Sequence, residues 1–143
     1  DYGGTLKNLT ICLASISGKA IIHSAGREEV SYSPADMEEF LESMDDAAKA
    51  AVDAKKDRWV FLNVLCGLQP DDDCEDAKPL ADIGILASLD PVAVDQAAVD
   101  FTFGAAPSEA VRQKWEEKHN VRRLQYAEER GLGKRHYRLE EIV

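Results

Sequence analysis

The chain has 143 residues, 45% of them apolar and 31% charged, and a formal net charge of −10. That length makes one ordinary globular domain with room for a single sizeable core. The charge argues against nucleic acid, since phosphate binding needs a basic face. No apolar run approaches the roughly 20 residues that span a bilayer, so a soluble chain with no membrane role is expected.

The acid excess is uneven. Residues 1–107 hold 20 acids against 8 bases, and residues 108–143 hold 7 against 9. Solvated helix faces account for this imbalance most simply. The opening Asp-Tyr-Gly-Gly replaces an initiator Met, and no charged-then-apolar leader follows it. One α/β domain over 1–143, the C-terminal part of a longer chain, is the expectation. Three cysteines at scattered spacing suit a reducing cytosol rather than a disulfide framework, so a cytoplasmic location is expected.

In chain order, Lys7 and Asn8 follow a Gly pair in "GGTLKNL", a loop able to bring backbone close to a ligand or to serve as a plain turn. "NLTICLASISGKAIIH" holds a β-branched run broken by Ser-Gly-Lys, which predicts extended structure with a turn. His23 closes that run and is a candidate ligand or general base, against the commoner structural histidine. "SPADMEEFLESMDDAAKAAVDAKKD" predicts a helix, with Ser33 as cap, Pro34 at the first position and Asp36 near the positive end. Its apolar stripe runs through Met37, Phe40, Leu41, Met44, Ala47, Ala48 and Ala51.

"RWVFLNVLCGL" is apolar on both alternating faces, which predicts a strand buried on both sides. Cys66 within it, like Cys12 earlier, reads as a thiol packed among apolar neighbours. "DIGILAS" is a second short strand. "LDPVAVDQAAVDFTFG" predicts a helix capped by Asp90 and begun by Pro91, with Val94, Ala97, Ala98 and Phe101 buried and Gly104 at its end. Ser108 opens a further helix through Val111 and Trp115. A last helix ends at "ERGLG", where Gly131 supplies the left-handed cap and Leu132 its hydrophobic partner. "HYRLEEI" reads as a final strand or an extended tail. The sum predicts an α/β fold, helices packed on a mostly parallel or mixed central sheet.

Between the two strands, Asp71 to Asp76 gather five carboxylates and Cys74. Hard oxygens with one thiolate suit a divalent cation, biased toward zinc or iron; a hydrated loop is the plainer alternative. Asp71, Asp73 and Glu75 alternate like the start of a calcium loop with Asp82 at the twelfth position. Asp76 stands at the sixth, where such a loop needs Gly, so that motif is rejected. Surrounding acids raise the thiol pKa of Cys74, which argues against an activated nucleophile. In an α/β sheet, ligands sit beyond the carboxyl ends of strands. If the two strands are parallel neighbours, the acidic loop and Asp90 share one edge. Asp95 and Asp100 are five apart and do not share a helix face. No Cys-x-x-Cys, paired His spacing or phosphate-binding Gly loop occurs, and His119 and His136 lie in charged segments.

Taken together, "GGTLKNL", the following His-Ser, "FLESMDDAAKAA", "VFLNVL", "DIGILASLDPVAVDQAAVD" and "AEERGLGKRHYRL" resemble a bacterial and archaeal family, domain of unknown function 362. Many of its members are described as iron–sulfur centre proteins. The resemblance covers nearly the whole chain. It implies a redox association, and it marks Lys7, Asn8, His23, Cys74, Asp82, Asp90 and Asp95 as keeping the family's polar pattern. Two departures stand out. The Cys-rich ferredoxin-like insert of many members is missing between Ser24 and the first long helix, which leaves no iron–sulfur cluster motif. Asp72 replaces the first cysteine of the family's Asp-Cys-Asp-Cys loop, so a two-thiolate site becomes a mixed carboxylate–thiolate one.

Two expectations follow. In one, His23, Asp72 and Cys74 hold a divalent metal in a redox-associated protein that meets a redox partner. In the other, the chain is a non-catalytic binding or scaffold domain making partner or homo-oligomer contacts. That second reading predicts an exposed apolar patch of several hundred Å².

Overall fold

The computed structural model describes residues 4–27, 37–56, 58–68, 80–106, 108–109, 112–113, 116 and 122–142. The first helical segment is a single turn, α1 (Thr5–Lys7), that widens at once into a π-helical turn, Asn8–Cys12. Helix α2 (Ile16–His23) begins at Ser15, whose hydroxyl accepts the Gly18 N–H at 3.1 Å. The extended structure expected over Asn8 to His23 is therefore corrected to helix. The β-branched run finds no strand partner among the described residues, whereas the Ser15 cap and the burial of Leu9, Thr10 and Ile22 reward helical spacing.

Helix α3 (Met37–Ala54) follows its periodicity: Phe40, Leu41, Met44 and Ala48 are buried while Asp46 and Ala50 face water. Its expected cap, Ser33 and Pro34, lies outside the described residues. Strands β1 (Phe61–Leu65) and β2 (Gly84–Ser88) pair antiparallel, Phe61 opposite Ser88 and Leu65 opposite Gly84. Helix α4 (Pro91–Gly104) starts as expected at Asp90, and Pro91 to Val99 are all buried, so it is the central helix. Helix α5 (Arg122–Glu129) closes through Gly131 at φ +72°, with Leu132 buried and its N–H donated to the Ala127 carbonyl. Val111 and Trp115 lie outside the described residues. Residues 133–142 form neither helix nor strand.

The fold is mixed α/β, but the expected parallel or mixed central sheet is corrected. Among the described residues the sheet is a two-stranded antiparallel pair lying on one side of α4 and α1. Nor is β1 buried on both faces. Phe61, Asn63 and Leu65 point inward, whereas Leu62 and Val64 are exposed. Apolar side chains on both faces suggested double burial, but apolar composition does not itself supply a covering layer. The inward face instead includes a polar residue, Asn63.

Two apolar clusters hold the layers. Leu6, Phe61, Val92, Val99, Phe103 and Leu124 belong to the larger, between α1, β1, α4 and α5. Ile22, Phe40, Leu41 and Met44 form the smaller, between α2 and α3. Where α3 crosses α5, Arg123 Nε donates to Asp45 Oδ1 at 3.0 Å, both residues being buried. Asp45 Oδ2 and Arg123 Nη2 find no hydrogen-bond partner among the described residues. Burial pushes the Asp45 carboxyl up to about 7, against the pull of the Arg123 charge and hydrogen bond, and the carboxylates of Asp95 and Asp46 add to the rise.

A raised acid makes the fold weaker as it ionises. Between the ordinary carboxylate value of 3.8 and about 7 the folded chain holds a proton that the unfolded chain has lost. Stability attributable to Asp45 is thus full below that window and declines as pH rises through it, by an amount on the order of a few kcal/mol. Denaturant midpoints followed from about pH 4 to about pH 8 check this: the wild-type midpoint falls, and Asp45→Asn flattens the slope.

Candidate functional site

The candidate residues fall at separate places, each set by a different element. Asp95, one turn into α4, is 1% exposed. Its Oδ1 accepts the Thr5 N–H at 2.7 Å and the Asn63 Nδ2–H at 2.8 Å, and its Oδ2 accepts the Leu6 N–H at 2.9 Å. Thr5 Oγ1 donates to Asn63 Oδ1 at 3.0 Å, and Asn63 Nδ2 also reaches the Val94 carbonyl at 3.3 Å. One carboxylate therefore supplies the cap that the α1 start lacks locally, since Gly4 has no side chain to offer. The same carboxylate fixes β1 through the buried amide. Lys7 closes α1 and Asn8 opens the π turn, so the Lys7–Asn8 loop is corrected to helix. Asn8 is exposed, and its Oδ1 accepts the Cys12 thiol at 3.4 Å.

Asp82 cinches the base of the acidic loop. Its Oδ1 accepts the Gly67 N–H at 2.7 Å, where Gly67 turns with φ +63°. Leu80 N donates to Leu68 O at 3.0 Å and Ile83 N to Leu65 O at 2.8 Å, so the two strands of chain leave the hairpin paired. Asp72 and Cys74 themselves lie outside the described residues. Cys12 and Cys66 are exposed free thiols, which corrects the expectation that both pack in apolar surroundings.

Asp90 stands at the opposite end of the hairpin from Leu65 and Gly84, between which the acidic run lies in sequence. The antiparallel register puts Ser88 beside Phe61, about 14 Å along the strand from the Leu65 end. The shared edge expected from parallel strands is corrected accordingly. Asp90 Oδ1 accepts the N–H groups of Val92 and Ala93 at 2.8 and 3.0 Å, and Oδ2 accepts that of Lys134 at 2.8 Å. Gly133 passes so close that a Cβ there would lie 2.0 Å from Asp90 Oδ1. Beyond it, Arg135 Nε donates to Gln96 Oε1 at 2.9 Å and Tyr137 OH to Asp100 Oδ2 at 2.8 Å, which lays the tail along α4.

His23 ends α2 and stacks on Phe40, ring centroids 4.8 Å apart and planes 16° from parallel. It therefore belongs to the α2–α3 cluster, while the hairpin packs on α4 and α1. Among the described residues no group of three or more His, Cys, Asp or Glu side chains is placed to hold a metal ion.

The feature that sequence reading missed is the outer hairpin face. Leu62 lies opposite Ala87 and Val64 opposite Ile85, with Val60 and Leu89 at the end of the pair. Val60, Leu62, Val64, Ile85 and Leu89 are each between 60% and 78% exposed, and Ala87 is exposed as well. The signal was present in the alternation: Asn63, the sole polar residue of β1, marks the inner side once Asp95 is known to need a donor.

A family model described as Domain of unknown function (DUF362) matches residues 1–100. The chain belongs to this family. No curated protein and no solved structure matches it. The DUF362 match takes in α1, the π turn, the hairpin and α4 up to Asp100, and with them every candidate residue named above. Asp95, Asp90 and Asp82 are thus DUF362 positions whose carboxylates all accept backbone N–H groups in this fold.

Replacing Asp95 by Ala leaves two backbone N–H groups without their acceptor and the Asn63 amide with only the more distant Val94 carbonyl. The expected loss is about 3 kcal/mol of folding stability. Urea unfolding checks it through a lowered midpoint, with Asp95→Asn losing less than Asp95→Ala because an amide oxygen still accepts.

Proposed function

We propose that this DUF362 chain is a non-catalytic binding module that presents the outer hairpin face to a protein partner. The observation that carries the reading is the face itself: six adjacent uncharged side chains turned to water on a chain of net charge −10. Scattered exposed apolar residues are ordinary, but a contiguous group of this kind marks an interaction surface. Three of the candidate carboxylates support the same conclusion from the other side, because their oxygens are engaged in routing the backbone rather than aimed at a substrate. The exposed thiols of Cys12 and Cys66 suit a reducing compartment and support a cytoplasmic location.

A double change, Leu62→Glu with Val64→Glu, tests this. Both side chains contribute to the outer face alone, so folding stability should change by no more than about 0.5 kcal/mol. Binding of an apolar fluorescent dye by the purified chain should fall several-fold. Collapse of the fold in this variant would show that the face is packed within its own molecule, and the reading would fail.

A second reading has its own support in Asp82, which ties down the Gly67 N–H while Leu80 N bonds Leu68 O, so the chain is pinned on both sides of the segment that carries Asp71 to Asp76 in the sequence. In that reading Asp72 and Cys74, with His23 as the nitrogen ligand, bind a divalent cation, and the chain works with a redox partner. Cobalt titration checks it. Thiolate coordination gives an intense near-ultraviolet band that Cys74→Ser removes; a wild-type spectrum unchanged by cobalt would sink the metal site.

A further inference from the structure

We infer that the partner on the outer hairpin face is a second copy of this chain, packed face to face across a two-fold axis. The inference rests on the reading of that face as a docking surface and adds its occupant.

Size is the first argument. Val60, Leu62, Val64, Ile85, Ala87 and Leu89 together leave on the order of 600 Å² to water, the upper end of what a monomer ordinarily exposes in one patch. Two such faces in contact bury about 1,200 Å² in total, the lower bound of a specific, stable interface. Each copy brings the whole of what the other needs, as an isologous contact requires.

Charge is the second argument. Two chains of net charge −10 repel over most of their surfaces. An uncharged face avoids that repulsion, and none of the six residues is ionisable. A basic partner would be drawn instead to the acidic part of the chain and would gain nothing from this face.

Shape is the third. The outward side chains stand in directly opposed cross-strand pairs, Leu62 with Ala87 and Val64 with Ile85. Ala87 leaves a dip beside Leu62, while Val64 and Ile85 stand together as a ridge, a relief that a copy of itself turned about a two-fold axis can interdigitate with. Two twisted hairpins stacked this way form a four-stranded, two-layer sandwich with its sheets about 10 Å apart. A peptide strand would use the sheet edge, through backbone groups, and would leave these side chains in water.

Sedimentation of the purified full chain tests the inference. The expected result is a monomer–dimer equilibrium at micromolar concentration that tightens with added salt, because screening reduces repulsion while apolar burial persists. Leu62→Glu with Val64→Glu, and separately Leu62→Lys with Val64→Lys, should each weaken association by about a hundred-fold while circular dichroism stays unchanged. Mixing the acidic and basic variants should restore a dimer containing one of each, which only self-pairing through this face explains. A wild-type chain that stays monomeric at about 100 µM, or a dimer that survives both variants, overturns the inference. So does growth past the dimer with concentration, which would mean a contact that does not close, such as hairpin against the exposed Ile16 and Ile21 of α2. A monomer whose face still binds an apolar dye removes the second copy but leaves the docking surface; a monomer that binds none, with a double variant that unfolds, removes both.

Discussion

A single buried carboxylate, Asp95, holds three separate pieces of chain in register: the start of α1 through Thr5 and Leu6, the middle of β1 through Asn63, and α4 on which it is carried. These contacts span sequence separations of 89, 90 and 32 residues, so none of them could form before the chain has closed on itself. A three-residue helix has no independent stability. The N-terminal segment is helical because α4 reaches it with a charged acceptor. The hairpin then has no freedom in facing, since Asn63 must turn toward the same carboxylate and Leu62 and Val64 must turn away.

That constraint explains which parts of the fold were legible in the sequence. Features whose cause is local were readable. Asp90 and Pro91 open α4, Gly131 and Leu132 end α5, and the stripe from Phe40 to Ala48 sets the buried side of α3. Features whose cause is distant were not. The stretch from Asn8 to His23 carries β-branched residues that favour strands, and only the packing under α3 and the anchoring at Thr5 make it helical. Strand direction was equally hidden, because an apolar five-residue run reads the same either way along the sheet. The antiparallel register then put Asp90 at the far end of the hairpin from Leu65 and Gly84.

The candidate site was legible as a set of residues more than as a place. Three of the polar positions within the DUF362 match are engaged with backbone: Asp95 at a helix start, Asp82 at a loop base, Asp90 at another helix start. Their common chemistry is a carboxylate meeting backbone N–H groups, which is favourable because the acceptor is charged and the donors lack other partners. A carboxylate engaged in this way reads the same, in a string, as one that does chemistry. The hairpin's outer face was hidden for the opposite cause. Nothing in an apolar residue announces whether a neighbour covers it, and Val64 looks like Leu65 until the sheet is seen from the side.

The crowding at Gly133 carries one more consequence. Asp90 serves two masters, Val92 and Ala93 on its own helix and Lys134 on the returning tail, and the space between is too small for a methyl group. An alanine at 133 would force a choice: the carboxylate swings aside and α4 frays at its first turn, or the tail lifts and the Arg135–Gln96 and Tyr137–Asp100 links unzip behind it. The route from Gly133 to Tyr137 is therefore encoded in a missing atom, and a protease probing that stretch would read the state of a helix cap some forty positions upstream.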